Sequence, residues 1–539
     1  LKSPRWTAPL ALGLAALIYL PRFGAPLMWD DRPFILDDAA LERPIPLSGY
    51  VTPAYFPLTG ELTWRPLATF TYSAGVRAFG KSPRPLRLTM FTLHLFVAAL
   101  LALLVAWAGL GADVGLAAAS LFLIHPAHVE TLMTVTFNKE ILSTLGILLM
   151  LLAHLRRRPG LAAGGLVLAV LPKETGGVGL ALAVLYDLLN GGLRELKARW
   201  KDHSLYAATA SIYLFMRFGP LKGPGGEANL SAALPWTERL YDAAKGFASS
   251  VRVLAIPWPL RIEYFALPAA SAVEYLFWLT AAASILGGTF VLARSAAREK
   301  RPALAFFLLW PLPALFLTSN LLPTAVLSLR LMAERWLYLP AAGLAAALAY
   351  ALRRRPRALA AVMIFWAVLG FVRVADWTSE PRLWESLVRI YPWSSKAREG
   401  LGEALFRAGR TEEAESSYRA ALASRENRTD LVLAHYVPLA PPGTIGWESA
   451  SLERGLGLCR LRLGDEPGAE NFFENAARLQ PADGFSTRVL AYLAARRGDF
   501  PAARAWAQKG LALDARDGFL NRLLPDVERR RLSFRARFD

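Results

Sequence analysis

Residues 161–201 read "LAAGGLVLAVLPKETGGVGLALAVLYDLLNGGLRELKARWK", and the threading of this stretch sets the topology of everything after it. One continuous helix over 161–189 would put the basic cluster Arg194, Lys197, Arg199 and Lys201 on the opposite side from Arg156, Arg157 and Arg158. Lys and Arg gather on the cytoplasmic side of short membrane loops. A helical hairpin turning at "PKETGG" brings both clusters to one side. With the N-terminus also inside, Lys2 and Arg5, then Arg294, Arg298, Lys300 and Arg301, then Arg353, Arg354, Arg355 and Arg357 fall there too.

The same pattern extends along the chain. Of 539 residues, 54% are hydrophobic, and the mean hydropathy is +0.31. Leu, Ala and Val are gathered into long runs, which marks a polytopic membrane protein. Candidate spans are roughly 8–22, 88–110, 114–135, 141–155, 161–172, 176–189, 205–218, 275–293, 303–318, 336–352 and 358–374, about eleven in all. The first, after a basic start and without a small-residue cleavage pattern, reads as a retained signal anchor. The half-apolar stretch within 240–274 reads as an interfacial or re-entrant element, because a full span there would invert the rest. A net charge of +18 would point to nucleic acid in a soluble protein; distributed in loop clusters it reports topology instead, so no nucleic-acid partner is expected. Cys459 is the single cysteine, which excludes an intrachain disulfide. The sequence contains no G-x-x-x-x-G-K-[ST] motif, and the spans show no clear internal repeat, so neither ATP drive nor a transporter is supported.

This threading divides the chain into a membrane domain over 1–375, with outer loops 23–87 and 219–274, and an outer domain over 381–539. In the second, 395–428, 450–483 and 484–517 align as helix-turn-helix repeats, with Gly409, Gly464 and Gly498 on the turns and Ala414, Ala469 and Ala503 where paired helices approach. The pattern resembles tetratricopeptide repeats, an α-solenoid whose concave groove suits an extended peptide. An insert near "HYVPLAPPGTIGWES" separates the first two.

The charged motifs of the membrane domain fall on one face. Asp30 and Asp31 in "WDDRP" are adjacent carboxylates that repel one another, an arrangement suited to a base or a cation ligand and equally to a solvated turn, as read for Asp37 and Asp38. "HPAHVE" brings His125, His128 and Glu130 together at a disturbed helix end, without the i,i+4 spacing of a helical zinc site. Lys139 with Glu140, and Lys173 with Glu174, read as neighbouring ion pairs or as site residues. Arg65 and Arg335 each offer a planar fork of donors to a phosphate.

In this order, "WDDRPFIL", "WRPLATFTY", "LFLIHPAHVETLMTVTFNKEILSTL", "LPKETGG", "SNLLP" and "MAERWLYLP", followed by the repeats, resemble the transmembrane and tetratricopeptide repeat-containing O-mannosyltransferases and their bacterial relatives, which are similar to the wider C-type glycosyltransferases. The resemblance covers nearly the whole chain. It implies an all-α polytopic bundle that transfers one sugar, mannose or another hexose, from a polyprenyl-phosphate carrier to a hydroxyl acceptor, such as protein Ser or Thr docked on the repeats. It implies that Asp30 is the base, with Asp31 its partner. Arg65, Lys139 and Arg335 are the candidates for the donor phosphate, and His125, His128, Glu130, Lys173, Glu174 and Tyr338 for positioning the substrate. Animal members more usually carry an Arg-Ala-Asp sequence where this chain has "FNKE". No cofactor is required by the resemblance and no metal ligand set is assigned, with a divalent cation left open. The expected location is a bacterial inner membrane, with the site and repeats on the periplasmic side. Two other readings are a ligase or polymerase for lipid-linked oligosaccharide and a non-catalytic membrane scaffold presenting the repeats.

Overall fold

The computed structural model describes residues 6–38, 40–223, 234–319, 321, 330–438, 449–536 and 538. Most of "SNLLP" and most of the 435–449 insert lie outside the described residues. The chain divides into two compact units, Leu1–Ser379 and Glu380–Asp539.

The first unit is a multi-pass helical membrane bundle. Among the described residues, six helices are long and apolar enough to cross a membrane: Pro83–Leu110, Val135–Leu155, Glu174–Ala198, Ala272–Arg298, Glu334–Leu352 and Pro356–Thr378. Ala112–Leu123 and Pro126–Met133, bent by 54° where Pro126 withholds a backbone donor, make a seventh if taken as one span. Thr7–Arg22, Pro159–Val170 and Pro302–Leu317 are apolar but shorter. All eleven expected segments are therefore helical, while fewer pass on length and apolarity. Helix Trp200–Phe218 forms, but Lys201, Asp202, His203 and Arg217 keep it outside that group.

The hairpin expected at "PKETGG" is present. Pro159–Val170 and Val178–Ala198 are separate helices, joined through Lys173 and a 3-10 turn at Glu174–Gly177. Pro159–Val170 also packs back on Asn138–Leu155, with Arg157 in the left-handed region (φ 54°) at the turn between them. One glycine on each helix explains the fit. A Cβ on Gly165 would stand 2.5 Å from the Met150 nitrogen, and one on Gly146 would stand 2.4 Å from that of Ala169. Lipid offers no hydrophobic drive between helices, so close backbone approach through small residues supplies the contact. At the basic end, Arg199 turns inward rather than toward headgroups and pairs with Asp187 (2.9 Å) beside His154 and His203.

The 240–274 region holds a helix, Trp236–Ala255, and a short strand, Tyr264–Phe265, paired antiparallel with Arg330–Met332. That ladder is the sheet content among the described residues. It sets the "MAERWLYLP" segment beside the other charged motifs.

In the second unit, helices pair in sequence: Ser395–Arg407 with Thr411–Glu426, Ala450–Arg462 with Glu466–Leu479, and Gly484–Arg497 with Phe500–Leu513. Gly409, Gly464 and Gly498 hold φ of 80°, 84° and 84° at the three turns, a conformation costly for any residue with a Cβ. Ala414, Ala469 and Ala503 are fully buried where each pair closes.

Candidate active site

Asp31 is fully buried, and both of its oxygens are occupied. Oδ2 accepts from the Val135 amide (2.9 Å), and Oδ1 accepts from the Thr136 amide (2.8 Å) and hydroxyl (3.1 Å). Burial pushes its carboxyl up to about 6, against the opposing effects of the Thr136 amide, the Arg87 charge and the Val135 amide. Asp31 thus ties the first loop to the segment before helix Asn138–Leu155, and its lone pairs are not open to a substrate. Asp30 differs. It is half-buried, and among the described residues it accepts no hydrogen bond and forms no ion pair, while its charge acts on Lys139 and Arg330. Trp29, in the left-handed region at φ 54°, turns the chain so that the two neighbouring carboxylates have different surroundings.

The three expected phosphate-binding cations are likewise separated. Arg335 is buried and bound to Glu130 through both its side chain and its amide (3.0 Å), with its guanidinium over the Phe137 ring (4.6 Å to the centroid). Arg65 pairs with Glu174 (3.2 Å). Burial opposes its charge, but Glu174 and Glu61 outweigh that and hold its pKa above the ordinary value. Lys139 has no ion pair among the described residues. Its ammonium lies 5.2 Å from the Phe137 ring centroid, within the fields of Arg65, Asp30, Arg335 and Glu61.

Lys173 pairs with Glu140 (2.6 Å) rather than with its neighbour Glu174. The two expected neighbour pairs are therefore exchanged for Lys173–Glu140 and Arg65–Glu174, which join different motifs. Glu130 serves Arg335 instead of facing open space. The histidines and Tyr338 lie in the protein interior. His125 Nδ1 accepts from the Ala127 amide (3.2 Å), so Nε2 carries the proton and donates to the Leu254 carbonyl (3.0 Å). His128 packs against Phe122 and Tyr338, both tilted to it, and edge-on to His94, with centroids 4.5, 4.6 and 5.3 Å away. Tyr338 bonds His94 Nδ1 (2.6 Å). These contacts brace the bend at Pro126. Asp37 lies at an exposed turn near Arg32 (3.5 Å).

Several contributing residues escape a reading by motif. Glu61 accepts from the Tyr72 hydroxyl and Thr69 (3.5 Å); burial holds its carboxyl above the usual range, against Tyr72, Lys139 and Arg65. Glu263 holds Arg330 through two bonds (2.5 and 2.6 Å), and Glu334 pairs with Arg373 (3.2 Å). Arg87 is fully buried at the foot of its helix. An arginine directly preceding an apolar run is a signal for it, since a charge at that depth must be compensated. No group of three or more His, Cys, Asp and Glu side chains is placed to share an ion among the described residues.

The fold and site together define a multi-pass helical membrane protein whose charged motifs converge where helix ends meet. No family profile matches the chain. In sequence it is similar to Protein O-mannosyl-transferase Tmtc1 of Drosophila melanogaster, 31% identical over 39% of this chain and 26% of that protein. It is also similar to Protein O-mannosyl-transferase F38B6.6 of Caenorhabditis elegans, 24% identical over 57% of this chain and 45% of that one, and to Drosophila melanogaster Tmtc2, 28% identical over 34% and 22%. The chain is a sequence relative of these proteins, as the motif order implies, and the matches span less than half the length of each. The crystal structure of ArnT from Cupriavidus metallidurans in the apo state aligns at 16% identity over 79% of this chain and 76% of that one, with a TM-score of 0.38.

Proposed function

We propose that this chain is a membrane glycosyltransferase that moves one sugar, mannose or another hexose, from a polyprenyl-phosphate sugar to a hydroxyl acceptor on the non-cytoplasmic face. The observation that carries the proposal is the contrast between Asp30 and Lys139, a carboxylate and a cation that form no ion pair among the described residues, and the paired charges of Arg65 with Glu174 and Arg335 with Glu130. Asp30 takes the proton of the acceptor hydroxyl while its oxygen attacks the anomeric carbon from the face opposite the phosphate. The new C–O bond forms as the bond from the anomeric carbon to the phosphate oxygen breaks. The electron pair leaves on the phosphate, and the configuration inverts. Lys139 stabilises that developing charge in a site partly shielded from water, where a fixed cation acts more strongly than in bulk. Arg65 and Arg335 are each already paired with a glutamate.

The second unit is read as tetratricopeptide repeats that present a peptide acceptor bearing Ser or Thr. The names of the O-mannosyl-transferase relatives favour this reading over a ligase for whole glycans. The deciding experiment incubates the purified full chain in nanodiscs with polyprenyl-phosphate mannose and a Ser/Thr peptide library, read by mass spectrometry. A mass increment of one hexose, lost with Asp30→Asn, supports the proposal. No transfer by folded protein, or undiminished transfer by Asp30→Asn, overturns it.

A further inference from the structure

Asp30 belongs to residues 23–38, a segment held to little regular structure beyond the short turn Arg32–Leu36. A base must nevertheless be fixed to within a fraction of an ångström of its target. Two buried side chains fasten this segment, one on each side of Asp30. Upstream, Arg87 of helix Pro83–Val105 donates Nη1 to the carbonyls of Phe23 (3.2 Å) and Ala25, Nη2 to that of Pro26 (2.8 Å), and Nε to that of Met133 (2.8 Å). Downstream, Asp31 accepts from Val135 and Thr136. Both fastenings end on the strip 133–136, which leads directly into the helix carrying Lys139. Their opposite charges attract one another, so the device is closed electrostatically as well. Between them Trp29 is kept in its left-handed conformation, its ring edge-on to Phe137 (5.5 Å). Such a conformation persists only where its surroundings over-determine it.

We infer that Arg87 is a positioning residue for the transfer reaction: with Asp31 it locks the loop so that Asp30 is held at a fixed distance from Lys139. The inference rests on the reading of Asp30 as base. Arg87 meets backbone carbonyls and no reacting atom. Only a planar fork of five donors serves carbonyls from four residues at once, so lysine is not an equivalent replacement.

The test uses the full chain and two independent readouts. In an Asp30→Cys/Lys139→Cys protein with Cys459→Ser, a short bifunctional thiol reagent reports the spacing of the two positions. Adding Arg87→Ala or Arg87→Lys is expected to lower the cross-link yield about tenfold, and Asp31→Asn to lower it less. In the otherwise unaltered chain, Arg87→Lys is expected to lower kcat about 100-fold with little change in donor KM, the mark of a misplaced group rather than lost binding. Where Arg87→Ala fails to run as a single species on gel filtration, Arg87→Lys and Asp31→Asn carry the test. Undiminished cross-linking in the Arg87 variants overturns the inference, whatever their activity. Cross-linking that depends on Arg87 in a chain with no transferase activity supports the positioning role and removes the reading of Asp30 as base.

Discussion

Asp30 and Asp31 are consecutive, yet one is embedded in backbone donors and the other carries none. Asp30→Asn is expected to lower transfer by at least about 100-fold without shifting the melting temperature, measured by product formation and by thermal unfolding. Lys139→Met is expected to cost about 100-fold or more in kcat, because it removes the cation placed for the leaving phosphate. Asp31 makes a different prediction. Its carboxyl is raised from 3.8 to about 6 in the fold, so the folded state binds its proton more tightly than the unfolded chain does. Stability from this group is full below about pH 4 and is lost as pH rises through about 6. The melting temperature of the parent relative to Asp31→Asn, measured between pH 4 and 7, should therefore fall with rising pH over that window. At this scale the sequence disclosed which residue types meet at the site but not which ones pair. Lys139 and Glu140 look like partners in one dimension, but adjacent helical residues do not face each other. The carboxylate that satisfies Lys173 comes from 33 positions away.

The elements were more readable than their contacts. Charge clusters flanking 161–189 led to the hairpin because topology acts on loops, and loops are local in sequence. The tight seam between Pro159–Val170 and the preceding helix Asn138–Leu155 was not foreseeable: "GLAAGGLVL" could serve any close helix contact, and only the fold shows Gly165 against the backbone of Met150. Gly165→Leu is expected to separate Asn138–Leu155 from Pro159–Val170 and to lower the melting temperature by several degrees, while Gly164→Leu, where nothing lies within 4 Å of a Cβ, should change it little. Arg87 was missed for a related reason. It sits at the boundary where an apolar run begins, and its four carbonyl partners come from two distant segments.

For the whole molecule, the polytopic membrane architecture followed from composition and the rhythm of apolar runs, and the all-α bundle and the relatives followed from the resemblance carried by motif order. The number of spans did not follow as cleanly, since several helices are short and depend on neighbours. The proposed orientation is tested by labelling: in a Cys459→Ser chain in intact cells, a membrane-impermeant maleimide should modify Asp37→Cys directly, and Arg354→Cys only after permeabilisation. The helix Pro159–Val170, at 12 residues, extends about 18 Å and falls well short of a hydrocarbon core of about 30 Å. Its ends would leave backbone polar groups facing lipid if it entered a bilayer alone. Seated against its neighbour through Gly146 and Gly165, it has a path into the membrane that does not require independence. During synthesis, therefore, the segment 138–170 has reason to leave the insertion machinery as a pair, with Asn138–Leu155 waiting for the helix that follows it.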